Sequence, residues 1–319
     1  MSALDPQVEE YLHGLSERGL PPLHRLPLAD ARETYRNLSV SETPSEAVGS
    51  VTERSVPGPE GEVPTRIYTP TGDGPHPELV FFHGGGWMLG GLETHDALCR
   101  ALTNATGCVV VAVEYRLAPE HPFPAGLEDC YAATRWVADN AEAIGADPDT
   151  LIVAGDSAGA TLAAGVGLLA RDRNGPDIDY QVLAYPVTNY GFETASYEEN
   201  AQGYFLTRED MKRFWDGYLR CELDGRHPYA SPLRARTLEA LPPAFVLTCG
   251  FDPLRDDGRE LASRLSGAGV PTTHVEYDDM IHGFLTMLAD PEIDRARDAI
   301  ERIGDEVREL RSHTRSQPA

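Results

Sequence analysis

The chain is 319 residues long, with 41% hydrophobic and 24% charged residues, a composition that excludes disordered and fibrous proteins. Its 27 Lys and Arg residues stand against 51 Asp and Glu residues, which gives a net charge of −24. So negative a surface repels nucleic-acid phosphates and anionic lipid headgroups, so neither nucleic acid nor a membrane is expected as a partner.

Short strand-like runs alternate with helical patterns along most of the chain. Val51–Val56 and Val63–Thr69, separated by Pro and Gly, predict an antiparallel hairpin. Six further runs, mostly continuously apolar, are Leu79–His83, Val109–Glu114, Leu151–Gly155, Tyr180–Tyr185, Ala244–Cys249 and Thr272–Tyr277. Helical patterns follow at Gly126–Glu142, Ser157–Arg171, Asp256–Gly267 and Pro291–Leu310. Because continuously apolar strands are buried on both faces, this alternation predicts one α/β domain over residues 1–319, with a mostly parallel central sheet flanked by helices.

Two segments interrupt this alternation. Residues 1–45 carry helical patterns near Pro6–Glu17 and Leu28–Asn37. Residues 189–226 carry one at Arg208–Arg220 and no convincing strand. We expect these two segments to pack together over the carboxyl ends of the strands as a small helical cap.

Ser157 is the candidate nucleophile. It is the centre of Gly155-Asp156-Ser157-Ala158-Gly159, between a predicted strand and a predicted helix. A serine exposed on such a tight strand-to-helix turn needs small residues on both sides, because larger side chains would clash there. The helix then begins at the serine, with its positive end facing the site.

A glycine-rich run follows the strand Leu79–His83. In His83-Gly84-Gly85-Gly86-Trp87, three glycines let backbone N–H groups turn towards a bound anion. Such donors stabilise the oxyanion of acyl transfer, and removal of one typically costs about 3–4 kcal/mol. A phosphate-binding loop is the alternative, but the lysine that would follow it is absent. We expect His83 to pin this loop and not to act as the base.

Asp252 and His282 complete the order Ser…Asp…His that is expected for a hydrolase of this α/β type. Asp252 lies just after a predicted strand. Asp256 and Asp257 instead fall at a predicted helix start, where carboxylates favour the helix dipole, so we expect these two to cap that helix. His282 lies in the loop after the last predicted strand, whereas His274 lies within that strand. Asp252 is therefore the candidate acid and His282 the candidate base.

Together these motifs resemble the bacterial hormone-sensitive-lipase family of esterases, in its Gly-Asp-Ser-Ala-Gly subgroup. The resemblance covers about residues 5–305. The segments that carry it are His83–Trp87, Gly155–Gly159, Asp252–Leu254 and His282–Phe284, with Tyr115–Glu120 and Asn200–Thr207 in support.

The resemblance implies an α/β-hydrolase fold with a helical cap and hydrolysis of short- to medium-chain carboxylic esters. It implies no metal and no cofactor, and it leaves open a homodimer, since many relatives dimerise. Carried onto this chain, the roles are nucleophile for Ser157, base for His282, orienting acid for Asp252, and backbone oxyanion donors for Gly85, Gly86 and Ala158.

The substrate pocket is harder to predict. Trp87, Tyr185 and Phe214 are candidate binding residues because they flank the loop, a strand end and the cap. Aromatic residues at such spacing are more often part of the core than of a pocket, because burial alone explains them. A small cap lined by aromatic side chains favours short acyl esters over emulsified triglyceride.

Two kinds of alternative remain. An amidase or acyltransferase would use the same triad, since cap shape sets the leaving group and the acceptor. A non-catalytic small-molecule receptor on this scaffold would typically lack a triad member, whereas Ser157, Asp252 and His282 are all present.

The cysteines and the charge of the chain give information on the cellular environment of the protein. Five widely spaced cysteines without a Cys-x-x-Cys pair indicate reduced thiols, and the start of the chain shows no apolar leader, so we expect a cytoplasmic protein. Lys212 is the sole lysine. The excess of carboxylates is explained either by the arginine bias of a GC-rich genome or by adaptation to high salt.

Overall fold

The computed structural model describes residues 3–41, 43 and 45–314, without the side chains of 311–314. Residues 1, 2, 42, 44 and 315–319, which the predicted domain includes, lie outside the described part. Within it, eight strands form one sheet. These are β1 (Ser50–Gly58), β2 (Gly61–Thr69), β3 (His76–Phe82), β4 (Val109–Val113), β5 (Ala146–Asp156), β6 (Tyr180–Ala184), β7 (Ala244–Phe251) and β8 (Thr272–Ile281).

The strand order is β1-β2-β4-β3-β5-β6-β7-β8. The β1–β2 hairpin and the β2–β4 pair are antiparallel, and every other pair is parallel. Val80 in β3 pairs with Val111 in β4 and Val153 in β5, and all three are fully buried. The mostly parallel sheet predicted from the continuously apolar runs is confirmed, and it brings the carboxyl ends of β5, β7 and β8 to one edge.

Helices cover both faces of the sheet. Within the described residues they are α1 (Pro6–Glu17), α2 (Leu28–Ser39), α3 (Asp96–Thr106), α4 (Ala125–Asp139), α5 (Ala158–Arg173), α6 (Ala195–Glu199), α7 (Arg208–Tyr218), α8 (Arg255–Gly267) and α9 (Asp294–Thr314). The sequence patterns gave no helix at α3. It follows the glycine-rich loop directly and has no side-chain cap at His95, so the usual start signal is missing, yet Leu98 and Leu102 are buried against the sheet.

The two segments predicted as a cap touch one another. The Nδ1 of His24 lies 3.0 Å from Oδ1 of Asp210 in α7. Arg213, also in α7, donates to the backbone carbonyls of Leu23 (3.0 Å) and Leu26 (2.6 Å). These hydrogen bonds fix the N-terminal segment to the inserted one. No helix in the described ranges is both long and apolar enough to cross a bilayer.

Candidate active site

Ser157 occupies the turn between β5 and α5. Its backbone has φ 54° and ψ −121°, a conformation that non-glycine residues rarely adopt. The N–H of Ser157 donates to the carbonyl of Ala184 at 2.8 Å, which holds the turn against β6. A side chain on Gly155 or Gly159 would overlap neighbouring backbone, with Phe82 the obstacle at Gly159. Small residues are therefore required on both sides of the serine, as the motif predicted.

Ser157, His282 and Asp252 form a continuous hydrogen-bonded chain. The Oγ of Ser157 lies 2.7 Å from Nε2 of His282, and Nδ1 of the same ring lies 2.8 Å from Oδ2 of Asp252. All three residues are buried, with Asp252 completely inaccessible and Ser157 8% exposed. Since a carboxylate accepts and cannot donate, Nδ1 of His282 carries a proton and Nε2 is free to accept the one on Ser157.

The carboxylate of Asp252 is fixed by neighbours that sequence analysis did not identify. Its Oδ1 accepts the N–H of Leu254 at 2.8 Å, and its backbone carbonyl accepts the side-chain amide of Asn200 at 3.1 Å. Asn200 belongs to a motif that carried the family resemblance, but a spacing of 52 residues gave no sign of its partner. These contacts leave Oδ2 facing His282.

Asp256 and Asp257 lie in the first turn of α8, as predicted, but they do not cap it. Asp256 accepts the N–H of Ser196 at 2.8 Å, and Asp257 lies 3.4 Å from the N–H of Thr188. Burial raises the pKa of Asp257 to about 8. The interpretation as helix caps was therefore right in position and wrong in contacts, because Asp256 binds the backbone of α6 and Asp257 binds the loop at Thr188.

Gly85, Gly86 and Ala158 carry the candidate oxyanion donors. Gly85 and Gly86 have φ values of +115° and +61°, which glycine adopts without strain. In the described part of the chain, neither of their N–H groups has a hydrogen-bond acceptor. Ala158 is the first residue of α5, so its N–H has no partner within the helix either.

The contacts of His83 are with the glycine-rich loop and with Tyr115. It is 3% exposed, its ring stacks on Tyr115 with 4.3 Å between centroids, and its Nδ1 lies 2.8 Å from the carbonyl of Gly84. Burial lowers its pKa to about 3, so the ring is neutral. It makes no contact with Ser157. The expectation that it pins the loop fits these contacts.

The three aromatic candidates are placed differently. Phe214 lies directly over Gly86, whose position a side chain could not occupy without overlapping the Phe214 ring. Tyr185 lies beside the base, with 4.7 Å between its ring centroid and that of His282. Trp87 is 1% exposed and stacks on Tyr218 at 4.2 Å. Phe214 and Tyr185 thus border the candidate site, whereas Trp87 packs behind it.

A cavity of about 520 Å³ opens beside the site. None of the triad side chains lines it. One link to them is Phe205, a lining residue whose ring would lie 3.6 Å from a Cβ added at Gly283, the residue after His282. Further lining side chains include Tyr35, Met287, Arg66, Arg100 and Arg297. No group of three or more His, Cys, Asp or Glu residues suited to a metal ion occurs among the residues that the structure describes.

Known proteins resemble this chain over most of its length. Residues 79–286 match the model of a family described by its α/β hydrolase fold. The carboxylic ester hydrolase LipN of Mycobacterium tuberculosis is 45% identical over 243 residues, which are 74% of this chain and 65% of LipN; the chain thus spans a little under two thirds of that relative.

Other relatives are matched more fully. The carboxylesterase NlhH of Mycobacterium tuberculosis is 41% identical, over 81% of this chain and 83% of its own length. Among solved structures, the hyperthermophilic esterase from the archaeon Pyrobaculum calidifontis superposes with a TM-score of 0.92 and 39% identity, over 97% of this chain and 99% of that one.

Proposed function

The chain belongs to the α/β-hydrolase family, as its resemblance to the hormone-sensitive-lipase esterases predicted, and on this premise we propose that it is a carboxylesterase with Ser157 as nucleophile. One observation carries the proposal: the hydrogen-bonded chain of 2.7 Å and 2.8 Å that joins Ser157 to His282 and His282 to Asp252. That arrangement supplies a nucleophile, a base and an orienting acid at once.

The reaction follows from this geometry. Nε2 of His282 takes the proton of Ser157 as its oxygen bonds to the ester carbonyl carbon. The carbonyl oxygen becomes an anion held by the N–H groups of Gly85, Gly86 and Ala158. His282 then gives the proton to the departing alcohol, and an acyl-serine remains. Water, deprotonated by the same ring, attacks the acyl carbon. The bond from that carbon to Oγ of Ser157 then breaks as His282 returns the proton to Oγ, which releases the acid and the free serine.

Asp252 acts through the imidazole. Its Oδ2, which is completely buried, holds the Nδ1 proton of His282 and stabilises the ring when it becomes charged. The N–H of Leu254 holds the carboxylate, and the side-chain amide of Asn200 holds the backbone carbonyl of Asp252. Because this carboxylate is buried, water screens its interaction with the ring less than it would at the surface.

The substrate class follows from the cap. We assign the cap to the described residues of 1–45 and to 189–226, and the contacts of His24 with Asp210 and of Arg213 with the backbone of Leu23 support this. Phe214 of α7 lies over Gly86. Its ring therefore limits how far an acyl chain can extend beside the oxyanion donors. Small-molecule esters with short to medium acyl chains fit this space, and emulsified triglyceride does not.

A matched pair of substrates tests the reaction type. The protein should hydrolyse p-nitrophenyl acetate and leave p-nitroacetanilide, the amide with the same acyl and aromatic groups, essentially intact. Faster hydrolysis of the amide would indicate an amidase, and transfer of the acetyl group to added methanol in preference to water would indicate an acyltransferase.

A covalent probe tests the nucleophile independently. The organophosphate paraoxon should add a diethylphosphoryl group to Ser157 with loss of p-nitrophenolate, detected by peptide mass. A receptor without a working triad would remain unlabelled.

A further inference from the structure

Asp156, the residue before the candidate nucleophile, is bonded to the glycine-rich loop. Its Oδ1 accepts the N–H of Gly84 at 2.8 Å. The same oxygen lies 3.2 Å from Nε2 of His95. Asp156 and His95 are 3% and 1% exposed. A buried Asp–His pair therefore lies beneath the site, apart from the pair formed by Asp252 and His282.

His95 is itself held in place. Its Nδ1 lies 2.8 Å from Oγ1 of Thr94, and that hydroxyl also bonds to the backbone of Gly91, which belongs to the same loop. The His95 ring is therefore fixed from both sides, by Thr94 and by Asp156. The network reaches from the loop into the start of α3.

Packing leaves little room for movement where Asp156 meets Gly84. A Cβ on Gly84 would overlap the carboxylate of Asp156, and one on Gly90 would lie 2.6 Å from the carbonyl oxygen of Gly84. Gly84 is thus packed between the carboxylate of Asp156 and the backbone of Gly90. A shift of Asp156 would have to move Gly84 with it.

The charge of Asp156 strengthens this link. Burial alone would raise its pKa, but His95 and the N–H of Gly84 outweigh burial and hold the pKa below its ordinary value. An ionised carboxylate accepts an N–H more strongly than a neutral group does. The bond to Gly84 is therefore charge-assisted and shielded from water.

We propose that Asp156 is a positioning residue that sets the N–H groups of Gly85 and Gly86 against Ser157. The inference rests on the proposed esterase function, because the oxyanion that these N–H groups would hold is the one formed during acyl transfer. Asp156 precedes Ser157 and Gly84 precedes Gly85, so the hydrogen bond of 2.8 Å joins the immediate neighbours of the nucleophile and of the first donor. The same N–H of Gly84 also lies 3.3 Å from Nε2 of His95. His95 and Thr94 orient the carboxylate that makes it.

Three variants test this role with p-nitrophenyl acetate. Asp156→Ala should lower kcat by about 10- to 10³-fold, the loss seen when an oxyanion donor is misplaced, with KM little changed. Asp156→Asn keeps an oxygen that can accept from Gly84 and should recover much of the loss. Asp129→Asn is the matched control, because Asp129 is 1% exposed and pairs with Arg116 away from the site; it should lower the unfolding temperature and leave kcat unchanged.

A thionoester separates loop positioning from general damage. Backbone N–H groups stabilise an oxygen anion better than a sulfur anion, so Asp156→Ala should lose more rate towards the ester than towards its thiono analogue. Equal losses on both substrates, or an Asp156→Asn variant no better than Asp156→Ala, would overturn the inference. If Asp156→Ala does not fold, His95→Gln gives the same comparison, with a smaller loss of the same kind expected.

Labelling of Ser157 by paraoxon distinguishes a failure of this inference from a failure of the proposed function. A wild-type protein that is labelled but hydrolyses no ester contradicts the esterase proposal alone. In that case slower labelling of Asp156→Ala than of wild type, with Asp129→Asn unchanged, supports the positioning role, and equal labelling of all three refutes it.

Discussion

The ring of Phe214 lies on Gly86, close enough that no side chain could be added at position 86 without overlapping the ring. Phe214 is 7% exposed and belongs to α7, whereas Gly86 belongs to the loop that offers the candidate oxyanion donors. We infer that this residue of the proposed cap walls the acyl site beside the candidate oxyanion donors, and that its size limits the length of the acyl chain.

Removal of this wall should change the chain-length preference. We predict that Phe214→Ala raises kcat/KM for p-nitrophenyl esters of longer acids relative to the acetate by about tenfold. Removal of the aromatic ring leaves space for several methylene groups of the acyl chain. Phe192→Ala is the control, since Phe192 packs on Tyr190 and Tyr197 in the same segment and not on Gly86. An unchanged preference in Phe214→Ala would show that the acyl chain lies elsewhere.

The buried carboxylate of Asp252 should matter for turnover far more than for binding. Asp252→Asn retains the shape of the side chain but can present its amide to Nδ1, which favours the wrong tautomer of His282. We predict a fall in kcat of about 10⁴-fold with KM within a small factor of wild type. Asp257→Asn serves as the comparison, because Asp257 lies in the first turn of α8 and its carboxylate faces the N–H of Thr188. Comparable losses in both variants would argue against the specific role of Asp252.

Glu78 predicts a pH-dependent stability. It is fully buried in β3, and neither carboxylate oxygen has a partner among the described residues. Burial, with smaller contributions from Asp147 and Asp179, raises its pKa from 4.5 to about 8. Between these two values the folded state holds a proton that the unfolded state has released, so the free energy of unfolding falls as the pH rises through this window.

Glu78→Gln removes this titration. We predict that the variant unfolds several degrees above wild type at pH 8 and close to wild type at pH 5, since one unit of pKa corresponds to about 1.4 kcal/mol. Thermal unfolding across this range measures the difference. Parallel pH profiles for the two proteins would be inconsistent with a neutral buried Glu78.

The acidic surface predicts stabilisation by salt. With a net charge of −24, repulsion among carboxylates destabilises the folded state, and molar salt shortens the screening length from about 10 Å to about 3 Å. We propose an adaptation to high salt and expect the unfolding temperature to rise by several degrees from low salt to molar NaCl, and equally in KCl. A constant or falling unfolding temperature would favour the arginine bias of a GC-rich genome as the explanation.

The sequence predicts the parts of the site whose signals are local. Ser157 lies in a five-residue motif between a strand and a helix, and Asp252 and His282 follow the last two parallel strands, so strand order alone brings them to one edge. The sheet was predictable for a similar reason, because strands such as β4 and β6 are buried along their whole length.

The supporting residues could not be predicted because their partners are distant in the chain. His95 and Asp156 meet across 61 positions, and Asn200 meets Asp252 across 52. Asp156 and Asn200 each lie in a recognisable motif, but nothing in those motifs points to His95 or to Asp252 as the partner. The burial of Trp87 behind Tyr218 is likewise a product of how α7 packs on the loop, which no local pattern specifies. Tertiary packing, and not residue type, determines these roles.

The most direct test of the account is hydrolysis of p-nitrophenyl acetate by wild type and by Ser157→Ala. The account predicts rapid release of p-nitrophenolate by wild type and a loss of about 10⁶-fold in kcat in the variant, with circular dichroism showing both proteins folded. Wild-type turnover that persists in Ser157→Ala, or a folded wild type without turnover on short esters, would contradict it.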